Sequence, residues 1–212
     1  MPRIIAGRAR GHRVAAPADN ATRPTSDRVR EALFSALVSW AGRTGEAPEA
    51  ALTGFSFLDL YAGSAAIALE AASRGAAPVL AVEQNRRTAD LARGNARDTA
   101  LAVRVECAEV GRFLAGPPTR AFDIVWADPP YDVPNDRLAG VLRTCWERGW
   151  LAPDGLLVVE RDRRSGEPTW PDTGTEPGAP RWDTWQRRYG ETVIHYAELI
   201  PGDPDPTEEE TS

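Results

Sequence analysis

The pattern of apolar and polar positions predicts strands and helices that alternate through most of the chain. Helices are predicted for an Ala-rich segment ending at Gly75, for residues 86–99, and for a segment with an apolar stripe from Leu138 to Trp146. The short, mostly apolar runs themselves predict strands, at residues 57–61, 78–83, 103–106, 122–126 and 155–160. Strands separated by helices predict a parallel sheet that is covered on both faces.

The two ends of the chain follow different patterns. Residues 3–16 alternate apolar and basic groups around glycines, which predicts a small hairpin or an extended arm. Turn and capping residues at 22–27 precede a helix with apolar side chains at helical spacing, and residues 41–54 are predicted to be a loop. Near the other end, residues 185–189 and 192–199 predict two strands joined at Gly190, which we expect to pair as a hairpin.

The composition limits the class of protein. The 212 residues suffice for one domain with small appendages, and 42% hydrophobic with 26% charged residues is ordinary for a globular protein. No apolar run is long enough to span a bilayer, and the first residues lack the apolar core of a signal peptide. We therefore expect a cytoplasmic protein without a membrane partner.

Cysteine and histidine are too sparse to indicate a disulfide framework or a metal site. Cys107 and Cys145 lie far apart in segments that we expect to be buried, and His12 and His195 are equally isolated. The sequence therefore predicts no metal ligands.

The charge is unevenly distributed, although the total of -6 argues against a nucleic-acid partner. Residues 1–31 contain seven arginines and three acidic residues, whereas the segment from Pro201 contains five acidic residues and no arginine. The sequence has no lysine, so every basic side chain is a guanidinium suited to bidentate phosphate contact. We expect three parts: a basic arm at 1–26, a main domain at 27–200, and a disordered acidic tail at 201–212.

The first strand-to-helix turn is the expected ligand site of such a sheet. It contains Asp59, Tyr61, Ala62, Gly63 and Ser64, where the glycine permits close approach and the helix N-terminus offers amides to a carboxylate. Glu83, followed by Gln84, ends the second strand about 20 residues further on, where an acid can bind both ribose hydroxyls. This pattern favours a ligand made of adenosine with a tail. A nicotinamide dinucleotide is less favoured, because its binding turn requires G-x-G-x-x-G.

The motif Asp128-Pro129-Pro130-Tyr131 directly follows the fourth predicted strand. The Asp128 carboxylate and the Pro129 carbonyl can accept hydrogen bonds from both N–H bonds of a base amine, which makes the nitrogen lone pair available to a methyl group. The prolines keep this backbone rigid, and Tyr131 offers a flat face for an unstacked base. An ordinary turn is the alternative, but the position beside the cofactor turn favours amino-nitrogen methylation.

With these motifs, the chain resembles the RsmD family of bacterial 16S ribosomal RNA guanine-N2 methyltransferases. The resemblance covers nearly the whole chain and is most specific in Thr22-Arg23-Pro24-Thr25 and the residues up to Phe34. It also includes residues 3–7, 59–64, 69–76, 128–131 and 188–192. It implies a Rossmann-like class I methyltransferase fold whose mainly parallel seven-stranded sheet ends in an antiparallel hairpin. It further implies S-adenosylmethionine as donor, and a guanine of 16S ribosomal RNA in the small subunit as acceptor.

Two positions depart from the family pattern. Ala65 stands where members usually carry glycine, which would cost about 1 kcal/mol or more if the position needs a positive φ. Cys107 stands where members often place an acid for the adenine amino group, which leaves backbone groups of Cys107 and Ala108 to meet the adenine. Either change could weaken cofactor binding.

The arginine-rich arm is the predicted RNA contact, with a solvated basic face as the alternative. Arg23 and Thr25 could instead reach the cofactor's carboxylate. The predicted RNA-binding residues are Arg3, Arg8, Arg10, Arg13, Arg23, Thr25 and Arg28.

Three other functions share part of these signals. An adenine-N6 DNA methyltransferase has the same catalytic motif but ordinarily needs a recognition region for which this chain has little room. A protein glutamine methyltransferase and a cofactor-binding RNA-associated protein with weak or no turnover also remain open.

Overall fold

The computed structural model describes residues 2–17, 26–176 and 179–202, with a sheet of seven strands at the centre of this part. The sheet has the strand order β3-β2-β1-β4-β5-β7-β6. The strands are β1 (Phe57–Leu60), β2 (Val79–Glu83), β3 (Val103–Cys107), β4 (Phe122–Ala127), β5 (Leu151–Asp162), β6 (Arg181–Tyr189) and β7 (Thr192–Ile200).

The first five strands pair in parallel, whereas β7 pairs antiparallel with both β5 and β6. Strand β1 lies between β2 and β4, so the order along the chain reverses at this point and the connections diverge. A crevice opens beyond the carboxyl ends of the strands at such a reversal. The predicted α/β fold with a mainly parallel seven-stranded sheet and a C-terminal hairpin is confirmed.

Helices cover both faces of the sheet because successive strand residues point to opposite sides. Phe57 packs into a buried cluster with side chains of the first three helices, whereas Leu58 packs into a second cluster with those of the last two. The helices are α1 (Asp27–Trp40), α2 (Ala66–Ser73), α3 (Arg86–Asp98), α4 (Val110–Leu114) and α5 (Asn135–Glu147). The strands are almost continuously apolar in the sequence because both of their faces are buried.

The N-terminal arm is fixed to α2 by buried polar groups. The carboxylate of Glu70 accepts hydrogen bonds from the amides of Ile5 and Ala6, at 2.7 and 3.0 Å, and also pairs with Arg74. Gly7 has a φ of +80°, and a Cβ atom there would lie 1.9 Å from the carbonyl oxygen of Ser73. The arm therefore needs glycine at this close approach, and its hairpin is reduced to one antiparallel bridge between Arg3 and Arg13.

The structure differs from the sequence prediction in a few places. The last parallel strand begins at Leu151 instead of 155, because Leu151 pairs with Phe122 before an irregularity in the ladder. The short helix α4 was not predicted, since five residues are too few for a clear helical pattern. The expectation that both cysteines are buried is wrong for Cys107, which is exposed because β3 forms one edge of the sheet.

The boundaries predicted for the arm and the acidic tail stay predictions. Residues 18–25 and 203–212 lie outside the described part of the chain. In the described ranges, no helix has the length and apolar character needed to cross a membrane.

Candidate methyltransferase site

Three strand-end turns meet at the carboxyl edge of β1, β2 and β3. The amide of Ala62 donates to the carbonyl of Val82 at 2.9 Å, and the amide of Ala108 donates to the carbonyl of Glu83 at 3.1 Å. The thiol of Cys107 lies 3.9 Å from the carbonyl oxygen of Gln84. The structure therefore brings together the residues predicted to bind the cofactor after all three strands, but the Ala108 amide, one of the groups expected to meet adenine, is already bonded.

Glu83 connects these turns through its half-buried carboxylate. One carboxylate oxygen accepts a hydrogen bond from the amide of Gly63 at 2.9 Å, and the other accepts one from Asn85 at 2.7 Å. Each oxygen retains acceptor capacity after one such bond. The carboxylate is thus held at the strand ends, where it can still accept hydrogen bonds from a diol.

The turn after β1 has an unusual backbone. Tyr61, Gly63 and Ala65 all have positive φ values, of 65°, 53° and 61°. A Cβ atom on Gly63 would meet no other atom within 4 Å, so the backbone there borders open space. This winding lets the chain leave the strand and enter α2, whose N-cap is Ala65.

Asp59 supports the turn from inside the protein. Its side chain accepts a hydrogen bond from the Ala68 amide at 3.0 Å, in the first turns of α2. Burial, with a smaller contribution from Glu83, raises the pKa of Asp59 to about 8, although the bond from Ala68 lowers it. Because Asp59 is 1% exposed, its place in the structure is that of a support for the turn.

The Asp128-Pro129-Pro130-Tyr131 motif starts beside this turn. Leu60 of β1 is paired with Ala127 of β4, so the residues that follow, Tyr61 and Asp128, leave the sheet on adjacent strands. The amide of Val133 donates to the carbonyl of Pro130 at 2.9 Å, which closes a tight turn that begins within the motif. Tyr131 lies in this turn with 58% of its surface exposed.

Tyr61 is half-buried directly after the end of β1. Burial and the charge of Glu109 raise the pKa of Tyr61 to about 12, against the opposing effect of Arg137 and Arg161. Tyr61 therefore keeps its proton at neutral pH. Glu109 caps α4 by accepting from the Arg112 amide, which lowers the pKa of Glu109, and it pairs with Arg137 at 3.3 Å.

Most of the predicted RNA-binding arginines are exposed. Arg3 donates to the carbonyl of Gly11, and Arg8 donates to that of Ala72, so both side chains are partly fixed against the arm and α2. The exposed arginines are Arg3, Arg8, Arg10, Arg13 and Arg28. Arg23 and Thr25 lie outside the described residues.

Metal ligands were not expected. Across the described residues, no group of three or more His, Cys, Asp or Glu side chains could hold a metal ion.

Comparison with known proteins identifies the family. The model of the family described as "Conserved hypothetical protein 95" matches residues 2–197. The chain is also 36% identical, over 170 residues, to the ribosomal RNA small subunit methyltransferase D of Escherichia coli strain K12, covering 80% of this chain and 79% of that protein. The chain belongs to the RsmD family.

Solved structures agree with this membership. The structure described as a putative methyltransferase, yhhF, from Escherichia coli has a TM-score of 0.73 and 29% identity, with 96% of this chain and 99% of that chain covered. A 16S rRNA N2 methyltransferase of Thermus thermophilus, RsmC, solved with AdoMet and guanosine, has a TM-score of 0.60 at 19% identity, covering 86% of this chain and 45% of that one. The second likeness shows the methyltransferase fold alone.

Ala65, which departs from the RsmD pattern, has a strained backbone conformation. Its φ of 61° is in the left-handed region, where an alanine costs roughly 1–2 kcal/mol relative to glycine. Ala65 is completely buried, so its methyl group recovers part of that cost through packing.

Two buried polar residues near the site were missed by the sequence analysis. Asn95 of α3 bonds both to Ala15 of the arm and to Ser64 of the cofactor turn. Arg161 of β5 bonds to the loop that follows the catalytic motif. For Arg161 a signal was present, because charged residues directly follow the apolar run 156–159, whereas Asn95 lies in a polar helix where one more amide has no distinguishing pattern.

Proposed function

We propose that this RsmD-family protein transfers a methyl group from S-adenosylmethionine to the exocyclic N2 of a guanine in 16S ribosomal RNA of the small subunit. One observation carries the proposal: Asp128 and Tyr61 leave adjacent parallel strands, so the amine-binding motif begins beside the cofactor turn. The name of the Escherichia coli relative and its 36% identity support a ribosomal RNA substrate. Such a reaction takes place in the bacterial cytoplasm.

The residues at the carboxyl edge fit S-adenosylmethionine. Glu83 presents a carboxylate suited to the ribose hydroxyls. Gly63 borders open space, and with Ser64 it precedes the N-terminus of α2, where a carboxylate is favoured. Gln84, Cys107 and Ala108 form the adjoining edge for the adenine. The bound cofactor supplies an electrophilic methyl group on its sulfonium.

The catalytic motif prepares the target amine. The carboxylate of Asp128 and the carbonyl of Pro129 accept hydrogen bonds from the two N–H bonds of the guanine N2 group. These bonds withdraw the amine lone pair from the ring and direct it at the methyl group. On taking the methyl group the nitrogen would become positively charged, and Asp128 would stabilise this charge until one N–H proton is lost to solvent; the demethylated cofactor would leave as S-adenosylhomocysteine. The ring of Tyr131 stacks against the base.

The arm supplies the contacts to the RNA backbone in this proposal. Its exposed guanidinium groups suit phosphate oxygens, and Glu70 fixes their positions by holding the arm backbone on α2. A base in RNA can reach the motif once it is unstacked, since Tyr131 is exposed. Association with the small subunit is the expected context of this contact.

Transfer of labelled methyl groups from S-adenosylmethionine tests the proposal. Small subunits lacking the modification, naked ribosomal RNA and DNA are compared as acceptors, with wild-type protein and Asp128→Ala. We expect transfer to the ribosomal substrate, and we expect Asp128→Ala to abolish turnover while cofactor affinity by calorimetry stays nearly intact. Transfer to DNA alone would support the adenine-N6 alternative, and no transfer to any acceptor would support a binding-only protein. Full activity of Asp128→Ala would refute the role given to this carboxylate.

A further inference from the structure

Arg161 is a buried guanidinium beside the loop that follows the catalytic motif. It is the penultimate residue of β5 and is only 5% exposed. Its Nη2 atom donates hydrogen bonds to the carbonyl oxygen of Val133 at 2.9 Å and to the side-chain oxygen of Asn135 at 3.1 Å. One side chain of the sheet thus binds two residues of the loop between β4 and α5.

These bonds connect Arg161 to the turn that presents Tyr131. Val133 accepts from Arg161 through its carbonyl and donates from its amide to the carbonyl of Pro130, at 2.9 Å. Val133 therefore takes part both in the hydrogen bond that closes the Pro130–Val133 turn and in the hydrogen bond that attaches this turn to Arg161. Any shift of Arg161 would be passed to Pro130 and Tyr131 through two hydrogen bonds.

Asn135 adds a second attachment at the same end of the loop, where α5 begins. It is the first residue of α5, and its Nδ2 atom donates to the carbonyl of Ser165 at 2.6 Å while its oxygen accepts from Arg161. Arg161 and Ser165 both lie at the C-terminal side of β5. The α5 end of the loop is consequently attached both to β5, through Arg161, and to the residues just after it, through Ser165.

Stability alone is a poor reason for an arginine at this position. A buried cation must be desolvated, and apolar side chains of similar volume are often as stabilising or more so. Within the described part of the chain, the Nε atom of Arg161 is buried without a hydrogen-bond partner, which adds to this cost. Burial lowers the pKa of the Arg161 guanidinium, and the negative charge of Asp128 only partly opposes this effect. The Arg161 cation therefore lies near enough to the Asp128 carboxylate for the two charges to attract each other.

We propose that Arg161 is a positioning residue for methyl transfer, which holds the Pro130–Val133 turn so that the catalytic motif meets the target base in one geometry. This inference rests on the proposed function. Displacing a reacting group by about 1 Å can cost on the order of a hundredfold in rate, so loss of these two bonds affects turnover far more than cofactor binding.

Kinetics of Arg161→Met provide the first test, because methionine has similar length without charge or donors. We expect kcat to fall about tenfold or more, with cofactor affinity unchanged within about twofold. Arg161→Lys, which retains a donor, should recover part of the loss. The matched control is Arg163→Met, which removes an exposed arginine paired with Glu191 at 3.5 Å and should leave kcat at the wild-type value.

Three further measurements separate positioning from misfolding and from failure of the proposed function. The stoichiometry of cofactor binding gives the folded fraction, and Asn135→Ala removes one partner of Arg161 without altering β5, so kcat should fall in the same direction. Hydrogen exchange of the 129–137 peptide measures how firmly the loop is held, and it needs no methyl acceptor. Exchange of this peptide should be faster in Arg161→Met, with no change at residues 59–66. Wild-type kcat in folded Arg161→Met, or unchanged exchange in the 129–137 peptide, would overturn the inference. If wild-type protein transfers no methyl group, the proposed function fails, and the exchange result alone decides whether Arg161 holds the loop.

Discussion

The side-chain amide of Asn95 donates a hydrogen bond to the carbonyl oxygen of Ser64 at 3.0 Å. The same Asn95 Nδ2 atom donates to the carbonyl of Ala15, and the Asn95 oxygen accepts from the Ala15 amide, both at 2.9 Å. A single side chain of α3, only 3% exposed, therefore joins the basic arm to the cofactor turn. The geometry of the turn depends on a residue about 30 positions further along the chain.

Asn95→Ala should lower both stability and cofactor affinity. It removes three buried hydrogen bonds, each worth about 1 kcal/mol or more when a partner is left unsatisfied. Chemical denaturation and calorimetry with S-adenosylmethionine measure the two effects. Thr99→Ala is the control, since the Thr99 hydroxyl bonds only to carbonyls of its own helix among the described residues. Equal cofactor affinity in Asn95→Ala and Thr99→Ala would show that Asn95 does not shape the turn.

Replacing Ala65 by glycine should stabilise the protein slightly and strengthen cofactor binding. The left-handed backbone costs alanine roughly 1–2 kcal/mol, while losing a buried methyl group costs about 0.8 kcal/mol, so relief of strain prevails. Ala66→Gly is the matched control, because Ala66 begins α2 and glycine there should destabilise the helix by up to about 1 kcal/mol. Destabilisation of similar size in both variants would contradict the strain at Ala65.

Glu83→Gln should weaken cofactor binding about tenfold, since a neutral amide offers the ribose hydroxyls a poorer acceptor than a carboxylate. It also loses one acceptor for the amides of Gly63 and Asn85. The dissociation constant is measured by calorimetry beside Glu106→Gln, which alters the exposed partner of Arg104 on β3. Unchanged affinity in Glu83→Gln would remove Glu83 from the cofactor site.

Asp59 should make the protein less stable as the pH rises. Burial raises the pKa of Asp59 from an ordinary value of 3.8 to about 8, so the folded state retains a proton that the unfolded state has released. The free energy of unfolding from this group therefore falls between about pH 4 and pH 8. Asp59→Asn, which keeps an acceptor for the Ala68 amide, should gain stability relative to wild type over this range. Denaturation curves from pH 5 to 9 with a constant difference between the two proteins would contradict the raised pKa.

The positions of the parallel strands along the chain could be predicted from the sequence, because burial on both faces of the sheet leaves a continuous apolar run. The same reasoning predicts the cofactor turn and the catalytic motif, since Gly63, Glu83 and Asp128 each lie at or just after the end of such a run. Their roles stay predictions. The structure places the ends of these strands at one edge, as expected for a parallel sheet.

Contacts between distant segments could not be predicted. Glu70 lies in the Ala-rich segment that is predicted to be a helix, and no local pattern indicates that its buried carboxylate binds the arm backbone some 64 residues earlier in the chain. The sequence places Cys107 in a segment that is expected to be buried, but the pairing that makes β3 an edge strand is set by the whole sheet. Likewise, the role of Arg161 depends on its distance to Val133, which no local pattern encodes.

The identity of the methylated nucleoside tests the central proposal most directly. Small ribosomal subunits lacking the modification are incubated with S-adenosylmethionine and either wild-type protein or Asp128→Ala, and the RNA is digested and analysed by mass spectrometry. We predict one N2-methylguanosine per subunit with wild-type protein and none with Asp128→Ala. Formation of N6-methyladenosine, or of N2-methylguanosine at equal rates by both proteins, would contradict the account.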